Sequence, residues 1–342
     1  MFVRLTTLLC AFVLLTVAPR ALAADGGETQ AAAETQAATE KSLFRGSSLS
    51  YRHTATTRTF DKSYENTWNP YYAQTVVVSP VLWLNDGFNV SANALFTREF
   101  TQADSTTEEN ETLMGDLSVS ASAPRVIHIE AASMSMGVGL AVISPTSKSS
   151  QARSMMAAIA PRASLSWSAK VLSGLRVSLS SRMTRYFHEF TTSGRESPLV
   201  GSCSATTAGC GAFLNTGLRN TQWRLTHGAT VSLGLTEWLS VAVSQSLSTD
   251  WLYALESSLL PSLSPQENQD QRYGAAFDVS FGVEAIRGLD LRLGMSTAGP
   301  QLAPDSSYYN PFYNRYSAIY LDLVCDLDEV VGIVTEELAT EP

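Results

Sequence analysis

Hydrophobic and polar residues alternate with a period of two through most of the chain, from Ser48 to Asp328. In the segment 113–123 every second residue is leucine, glycine, valine or alanine, and the residues between them are mostly serine. Successive side chains of a β-strand point to opposite faces, so this pattern predicts strands whose two faces meet different surroundings. Such segments number 12, at 49–58, 71–84, 88–101, 112–123, 135–144, 155–170, 175–190, 220–235, 238–248, 271–283, 289–296 and 316–328.

The connections between these segments alternate in length. Short connections lie at 85–87, 172–174, 236–237 and 284–288, and long ones at 59–70, 102–111, 145–154, 191–219, 249–270 and 297–315. An even number of strands joined in this way predicts an antiparallel up-and-down sheet with both chain ends on the short-turn side. Two irregularities are expected: a bulge at Pro80, which has no N–H for the ladder, and a small excursion at 124–134 that includes His128 and Glu130.

Charged residues favour one face of these segments. Only 16% of the chain is charged, and the polar register is otherwise mostly serine, threonine, glycine and asparagine rather than the lysine and glutamate of a soluble surface. An arginine or lysine facing lipid at mid-membrane would cost about 2–4 kcal/mol, so an apolar register without charge is expected where strands meet lipid. The charges that share the polar register are Asp116, Arg162, Lys170, Arg176, Arg182, Arg224, Arg272, Asp278, Asp290, Arg292, Asp322 and Asp326.

The dimensions and the aromatic residues fit the same interpretation. Ten strand residues rising about 3.3 Å each, tilted by about 40°, span roughly 25 Å, the height of a lipid-facing band. Aromatic residues are expected to form two girdles, near the short turns (Trp83, Phe88, Trp167, Trp238) and near the long loops (Tyr71, Tyr72, Phe100, Tyr186, Phe187, Phe190, Tyr316). The aromatic loop 297–315 either folds inward as a constriction, presents a contact surface or packs against the rim.

Over residues 48–328 the chain resembles the outer-membrane β-barrel proteins of Gram-negative bacteria. The resemblance implies an all-β fold, an antiparallel up-and-down transmembrane β-barrel of about 12 strands with short periplasmic turns and long extracellular loops. It departs from the class at its last strand, AIYLDLVCDLD, which lacks the usual terminal phenylalanine. A soluble secreted β-sandwich is the alternative fold.

The chain ends predict export. Residues 1–23 have an early Arg4, an apolar core and a final Ala-Leu-Ala, which is typical of a cleaved signal peptide. Residues 24–47 are predicted to be a disordered acidic and alanine-rich linker, and 329–342 a periplasmic tail. In an oxidising compartment Cys203 and Cys210 are expected to form a local disulfide, with two free thiols as the alternative.

Two groups of charges are candidates for a functional lumen. A basic wall comprises Arg162, Lys170, Arg176, Arg182 and Arg224, and an acidic wall comprises Asp278, Asp290, Asp322 and Asp326. Opposite walls of opposite sign would set up a transverse field that orients solutes and selects ions. The alternative is that these charges pair with one another and fill a closed barrel. Arg52 on the first strand is expected to face Asp326 on the last.

The predicted function is a passive channel or facilitator for small polar or anionic solutes in the outer membrane. The alternatives are a sealed surface barrel with a structural, adhesion or interaction role, and an outer-membrane lipid hydrolase. The net charge of −9 argues against a nucleic-acid partner, and the expected partners are outer-membrane lipid, lipopolysaccharide and small solutes. The pattern predicts no preferred oligomeric state.

No enzyme activity, cofactor or metal is predicted. Outward-facing His227 has Ala229 two residues on, so no nucleophile is aligned on its strand, and this histidine is instead a candidate oligomer contact. His53, His128 and His188 lack acidic neighbours at metal-ligand spacing. The acidic loop 102–111 is either a Ca²⁺ site or simply solvated.

Overall fold

The computed structural model describes residues 42–60, 71–101, 108–193, 218–254, 270–303 and 307–332. The strands within these ranges all belong to one antiparallel sheet, and the described part holds no helix long and apolar enough to cross a membrane. The strands are β1 (Ser48–Thr56), β2 (Tyr72–Ser79), β3 (Val81–Asn85), β4 (Phe88–Glu99), β5 (Thr112–Met114), β6 (Leu117–Ile129), β7 (Met134–Ser144), β8 (Met155–Ala169), β9 (Gly174–His188), β10 (Thr221–Gly234), β11 (Leu239–Leu252), β12 (Gln271–Ile286), β13 (Leu289–Pro300) and β14 (Ser317–Asp326).

The sheet closes on itself. Each strand pairs with its neighbours along the chain, β1 pairs with β14, and β2 pairs with β4 across the remaining gap. The short strands β2 and β3 are two halves of one element that crosses the wall once, and so are β5 and β6. Counting each such element as one stave gives 12 staves, which confirms the predicted barrel. Pro80 separates β2 from β3, as its missing N–H predicts, but the bulge expected there is wrong, because both strands pair with β4 in one register, Val78 with Ala94 and Val81 with Ser91.

The prediction of a small excursion at 124–134 is wrong. Strand β6 continues to Ile129 after a bulge between Ala123 and Ile127, and it pairs with β7 down to a tight turn at Glu130–Ala132. Gly137 on β7 permits this bulge, because a Cβ there would lie 2.8 Å from the carbonyl oxygen of Pro124. His128 therefore lies on a strand, and Glu130 lies in the turn.

An apolar belt surrounds the barrel. The outward positions expose large hydrophobic side chains to between two-fifths and three-fifths of their full area, among them Val119, Leu140, Leu179, Val231, Leu293 and Leu321. A soluble protein would bury such a belt, so this surface is the lipid-facing one that the apolar register predicts. Trp167 and Trp238 mark its short-turn end, and Phe187 and Trp223 its long-loop end.

Two aromatic residues predicted for the girdles face the lumen instead. Trp83 pairs with Asn89 on the lumen side, where the guanidinium of Arg45 covers its ring at 3.8 Å. Tyr186 lies in the lumen register of β9, near the guanidinium of Arg224. Aromatic residues therefore line both ends of the interior as well as the outer rims.

Both chain ends meet at the short-turn side. Residues 42–47, predicted to belong to the linker, form a turn whose Leu43 carbonyl accepts from the Trp83 N–H at 2.8 Å and whose Arg45 pairs with Asp86. After β14 the chain enters a helix at 327–332, beginning where the Leu327 N–H donates to the Ser47 carbonyl. The signal peptide, the linker up to residue 41, the tail from residue 333 and the Cys203–Cys210 pair lie outside the described residues and stay predictions.

Candidate functional site

The basic wall lies on three adjacent staves and faces the lumen. Arg162 on β8 and Arg182 on β9 are register partners, and Arg176 lies six residues from Arg182 on the lumen face of β9. Arg224 follows on β10 toward the long-loop end. Lys170 comes directly after the end of β8, at the short-turn rim. The alternation of the strands therefore brings together the arginines that the sequence predicts.

Among the described residues, three of these arginines have no carboxylate partner. Arg162 donates to the Ser122 hydroxyl at 2.6 Å, but within the described ranges no carboxylate oxygen lies within 4 Å of the guanidinium of Arg162, Arg176 or Arg182. Arg224 differs, because its guanidinium forms two hydrogen bonds with Asp250. The wall thus keeps uncompensated positive charge along the lumen.

The acidic wall is neutralised more completely. Asp322 is almost fully buried and accepts two hydrogen bonds from Arg52, with 2.9 Å between Nε and Oδ1. Asp290 pairs with Arg292 on its own strand at 2.9 Å. The Tyr320 hydroxyl lies 2.8 and 3.0 Å from the two carboxylate oxygens of Asp278. Two of the four aspartates on this wall are therefore paired with an arginine, whereas Asp278 bonds a neutral hydroxyl and keeps its negative charge.

The expected contact between Arg52 and Asp326 is wrong. The register of the closing pair places Asp326 opposite Ser48 at the short-turn rim, four residues away from Arg52, and puts Asp322 opposite Arg52. Asp326 instead accepts from the backbone N–H of Asp328. The two walls are also not diametrically opposite, since their central strands, β9 and β13, are four of the 12 staves apart, about a third of the ring.

A vestibule at the long-loop end concentrates further arginines. A cavity of 430 Å³ is lined by Arg182, Arg224, Arg272 and Asp250 together with serine hydroxyls of β11. Burial and the neighbouring charge of Arg224 lower the pKa of Arg153, which precedes β8 at this end. The position of Arg153 could not be predicted from the sequence, because a loop arginine shows no register and its position depends on how the loop folds.

A second cavity of 710 Å³ opens at the short-turn end. Its walls include Arg45, Arg125, His128 and Arg176 beside the lumen-facing Trp83. Arg176 therefore lies on this cavity and Arg182 on the vestibule, so the basic wall runs between the two. Arg125 and Arg45 were not anticipated, since the bulge of β6 and the ordered turn at 42–47 decide their positions.

The outer face of β10 carries His227, as its register predicts. Its cross-strand neighbour on β9 is Ser181, a serine that inspection of one strand alone does not reveal. No hydrogen bond joins the Ser181 hydroxyl to the imidazole in the described structure, and no carboxylate pairs with His227 there. Among the described residues, Ser181 and His227 are therefore neighbours that lack the hydrogen bond by which a histidine activates a serine nucleophile.

The structure describes only part of the acidic loop for which a Ca²⁺ site was one of two predictions. In the acidic loop, residues 102–107 lie outside the described ranges, and Glu111 pairs with Lys148 at 2.8 Å. The described residues contain no group of three or more His, Cys, Asp or Glu side chains that could hold a metal ion.

The loop after β13 packs against the outer rim, where the ring of Phe312 contacts Phe277 and the Phe312 carbonyl accepts a hydrogen bond from the Thr297 hydroxyl at 3.0 Å.

Comparisons with known proteins add general shape only. No protein-family model and no curated sequence matches the chain. Among solved structures it is similar to the KdgM porin in complex with disordered oligogalacturonate, at 10% identity and a TM-score of 0.40, over 81% of this chain and 98% of that one.

The NanC porin gives 10% identity and a TM-score of 0.42 over 81% and 98% of the two chains. The Salmonella typhi outer membrane phospholipase (OMPLA) dimer with bound calcium gives 10% identity and a TM-score of 0.32, over 84% of this chain and 93% of that one. Such values carry no argument about function. By its own strand pairing and outer surface, the chain is a closed antiparallel β-barrel of the outer-membrane type.

Proposed function

We propose that this protein is an outer-membrane channel that passes small anionic solutes. The observation that carries the proposal is the run of Arg162, Arg176 and Arg182 along the lumen with no carboxylate partner among the described residues, while two of the aspartates on the acidic wall are paired with Arg52 and Arg292. Unbalanced charge of one sign inside a water-filled lumen favours entry of the opposite ion.

The magnitude is sufficient for selectivity. One positive charge about 7 Å from an anion in water contributes about 0.6 kcal/mol, which raises the local anion concentration about threefold. The cavities of 710 and 430 Å³ at the two ends both reach this wall, so an anion would meet arginine on entry and on exit. Serine hydroxyls between the arginines offer hydrogen bonds that partly replace the hydration shell of the solute.

The outer surface supports a place in the outer membrane and contact with its lipids. Arg185 lies in the outward register of β9, ten residues from Leu175, which is about 25 Å along the tilted barrel wall. Its guanidinium lies 5.0 Å from the ring centre of Trp223. An arginine and a tryptophan at this level suit the boundary between acyl chains and anionic headgroups, such as the phosphates of lipopolysaccharide.

Replacing Arg176 and Arg182 by serine should reduce anion selectivity. Because each arginine contributes about a threefold preference, the anion-to-cation permeability ratio is expected to fall at least threefold in the double variant. The measurement is the reversal potential of refolded protein in a planar bilayer under a KCl gradient. Arg224 is left in place, since its removal would strip Asp250 of its partner.

The control is Arg185→Ser, which removes one positive charge from the outer face and should leave the reversal potential unchanged. If the wild-type protein conducts no ions at any voltage, the channel proposal is wrong and a sealed barrel is the better description. Equal shifts in the control and in the double variant would also contradict it.

A further inference from the structure

Three polar side chains form a patch in the middle of the lipid-facing surface. Ser181 on β9 pairs across the ladder with His227 on β10, and Gln245 on β11 pairs with Ala229, the next outward residue after His227. All three occupy the outward register, which carries mostly leucine and valine in the adjoining positions of these strands. We call Ser181, His227 and Gln245 the mid-height polar patch.

The patch lies deep within the apolar belt. Each member lies six residues from an outward-facing leucine at the short-turn end of its strand. These leucines are Leu175 on β9, Leu233 on β10 and Leu239 on β11. Six tilted strand residues rise about 15 Å, within a band about 25 Å tall. At that depth neither water nor lipid headgroups are available as hydrogen-bond partners.

These side chains are also unsatisfied within one copy of the chain. His227 and Gln245 are exposed, Ser181 is half-buried, and in the portion of the protein that the structure describes none of the three side chains makes a hydrogen bond. Burying polar groups in hydrocarbon without hydrogen bonds is unfavourable, so a partner that supplies them would be bound.

We propose that the mid-height polar patch is the contact surface of a homodimer within the membrane. A second copy is the occupant that fits best, because imidazole and carboxamide groups each carry a donor and an acceptor. A two-fold axis through the patch lets the imidazole of each copy meet the carboxamide of the other, so the hydrogen bonds form twice. The small side chains of Ala163 and Ala229 beside Ser181 and Gln245 let two walls approach closely.

The chemistry of the patch argues against other occupants. It contains no acidic or basic residue of fixed charge, so it offers nothing to a charged protein surface, and its depth keeps it from lipid phosphates and sugars. A catalytic role would need water and an ester group at this level, and esters lie near the edge of the hydrocarbon. The proposal is independent of whether the lumen conducts ions.

The test is sedimentation equilibrium of the whole protein in density-matched detergent micelles, with the double variant His227→Leu/Gln245→Leu. The wild-type protein is expected to form dimers, and the variant to dissociate about tenfold more readily, since hydrogen bonds in membranes are individually modest but are here made twice. Leucine suits a lipid-facing position, so the variant should fold, which its heat-dependent gel migration would verify.

The control uses the same residue types at a different height. His53→Leu/Gln74→Leu replaces an outward register pair on β1 and β2, where Gln74 lies ten residues from Leu84 and so at the long-loop edge of the belt. There the imidazole of His53 already bonds the Tyr72 hydroxyl at 2.7 Å. This variant should dimerise as the wild-type protein does.

The proposal is overturned by a monomer at every protein-to-detergent ratio, an unchanged dimer in the patch variant, equal weakening in the control, or a complex with a different protein at this face. Release of fatty acid from phospholipid vesicles that disappears in Ser181→Ala would likewise overturn it, in favour of catalysis at the patch.

Discussion

Replacing Asp250 by alanine is expected to lower the free energy of unfolding by about 3 kcal/mol, because it leaves a partly buried arginine without its counter-ion. The Asp250 side chain is only 11% exposed, and it accepts two hydrogen bonds from Arg224 and one from Thr221. Arg272 is its register partner on β12. Without this carboxylate the remaining cations of the vestibule repel one another, and the pKa of Arg153 is already lowered by burial and by the neighbouring charge of Arg224.

Urea unfolding in lipid vesicles, followed by tryptophan fluorescence, measures this loss. The control is Asp290→Ala, which removes an equivalent partner from Arg292 in an exposed pair and should cost less than about 1 kcal/mol. The double variant Arg224→Met/Asp250→Leu should recover most of the stability, because both charges are then removed together. A loss for Asp250→Ala no larger than that of Asp290→Ala would contradict the electrostatic explanation.

The barrel could be predicted from the sequence because its signal is local. Each strand shows its two faces within about ten residues, and the alternation of short and long connections orders the strands without any distant contact. The lumen positions of Arg162, Arg176 and Arg182 follow from the same alternation. The strand β11 was nevertheless longer than expected, reaching Leu252, since a pairing partner on β12 extends a ladder beyond its apolar residues.

Contacts between strands were not accessible in the same way. Arg52 bonds Asp322 rather than Asp326 because the register at the closing seam is fixed by the whole ring and not by either strand. Ser181 became visible as the neighbour of His227 only once β9 and β10 were aligned. Trp83 faces the lumen because β3 keeps the register of β2 against β4, in which Thr75 also points inward, and the valine run at 76–78 hides that register in the sequence. In each case the deciding information is non-local.

The positions of residues in the loops and near the chain ends could not be predicted from the sequence either. Arg45 reaches Trp83 and Asp86 through a turn at 42–47 that has no hydrophobic pattern of its own, and Gly46 adopts a positive φ of 80° there. Arg219 is almost buried and donates to the Tyr253 carbonyl, although both residues lie at the edges of long loops. Composition alone does not distinguish such anchored loop residues from solvated ones.

Replacing Gly294 by valine is expected to destabilise the closing seam by about 3 kcal/mol, at the upper end of overpacking costs. The ring of Tyr320 lies directly over Gly294, so that a Cβ there would come within 2.8 Å of the Cε1 atom and closer still to Cζ and the hydroxyl. Tyr320 is 5% exposed, its hydroxyl bonds Asp278, and the guanidinium of Arg52 lies 4.1 Å from its ring centre. The ring cannot move aside without giving up these contacts.

The control for this prediction is Ser296→Val, which places the same side chain on the same face of β13, two residues further along, and should cost much less. If the clash with Tyr320 is the cause, then Tyr320→Ser should make the Gly294→Val change nearly neutral when the two are combined, because the space above residue 294 is then empty. Additive losses in the double variant would show that glycine is needed at 294 for another reason. Since β14 joins β1 beside this ring, weakening the contact should open the barrel at that seam first, which hydrogen exchange of the β14 amides would detect.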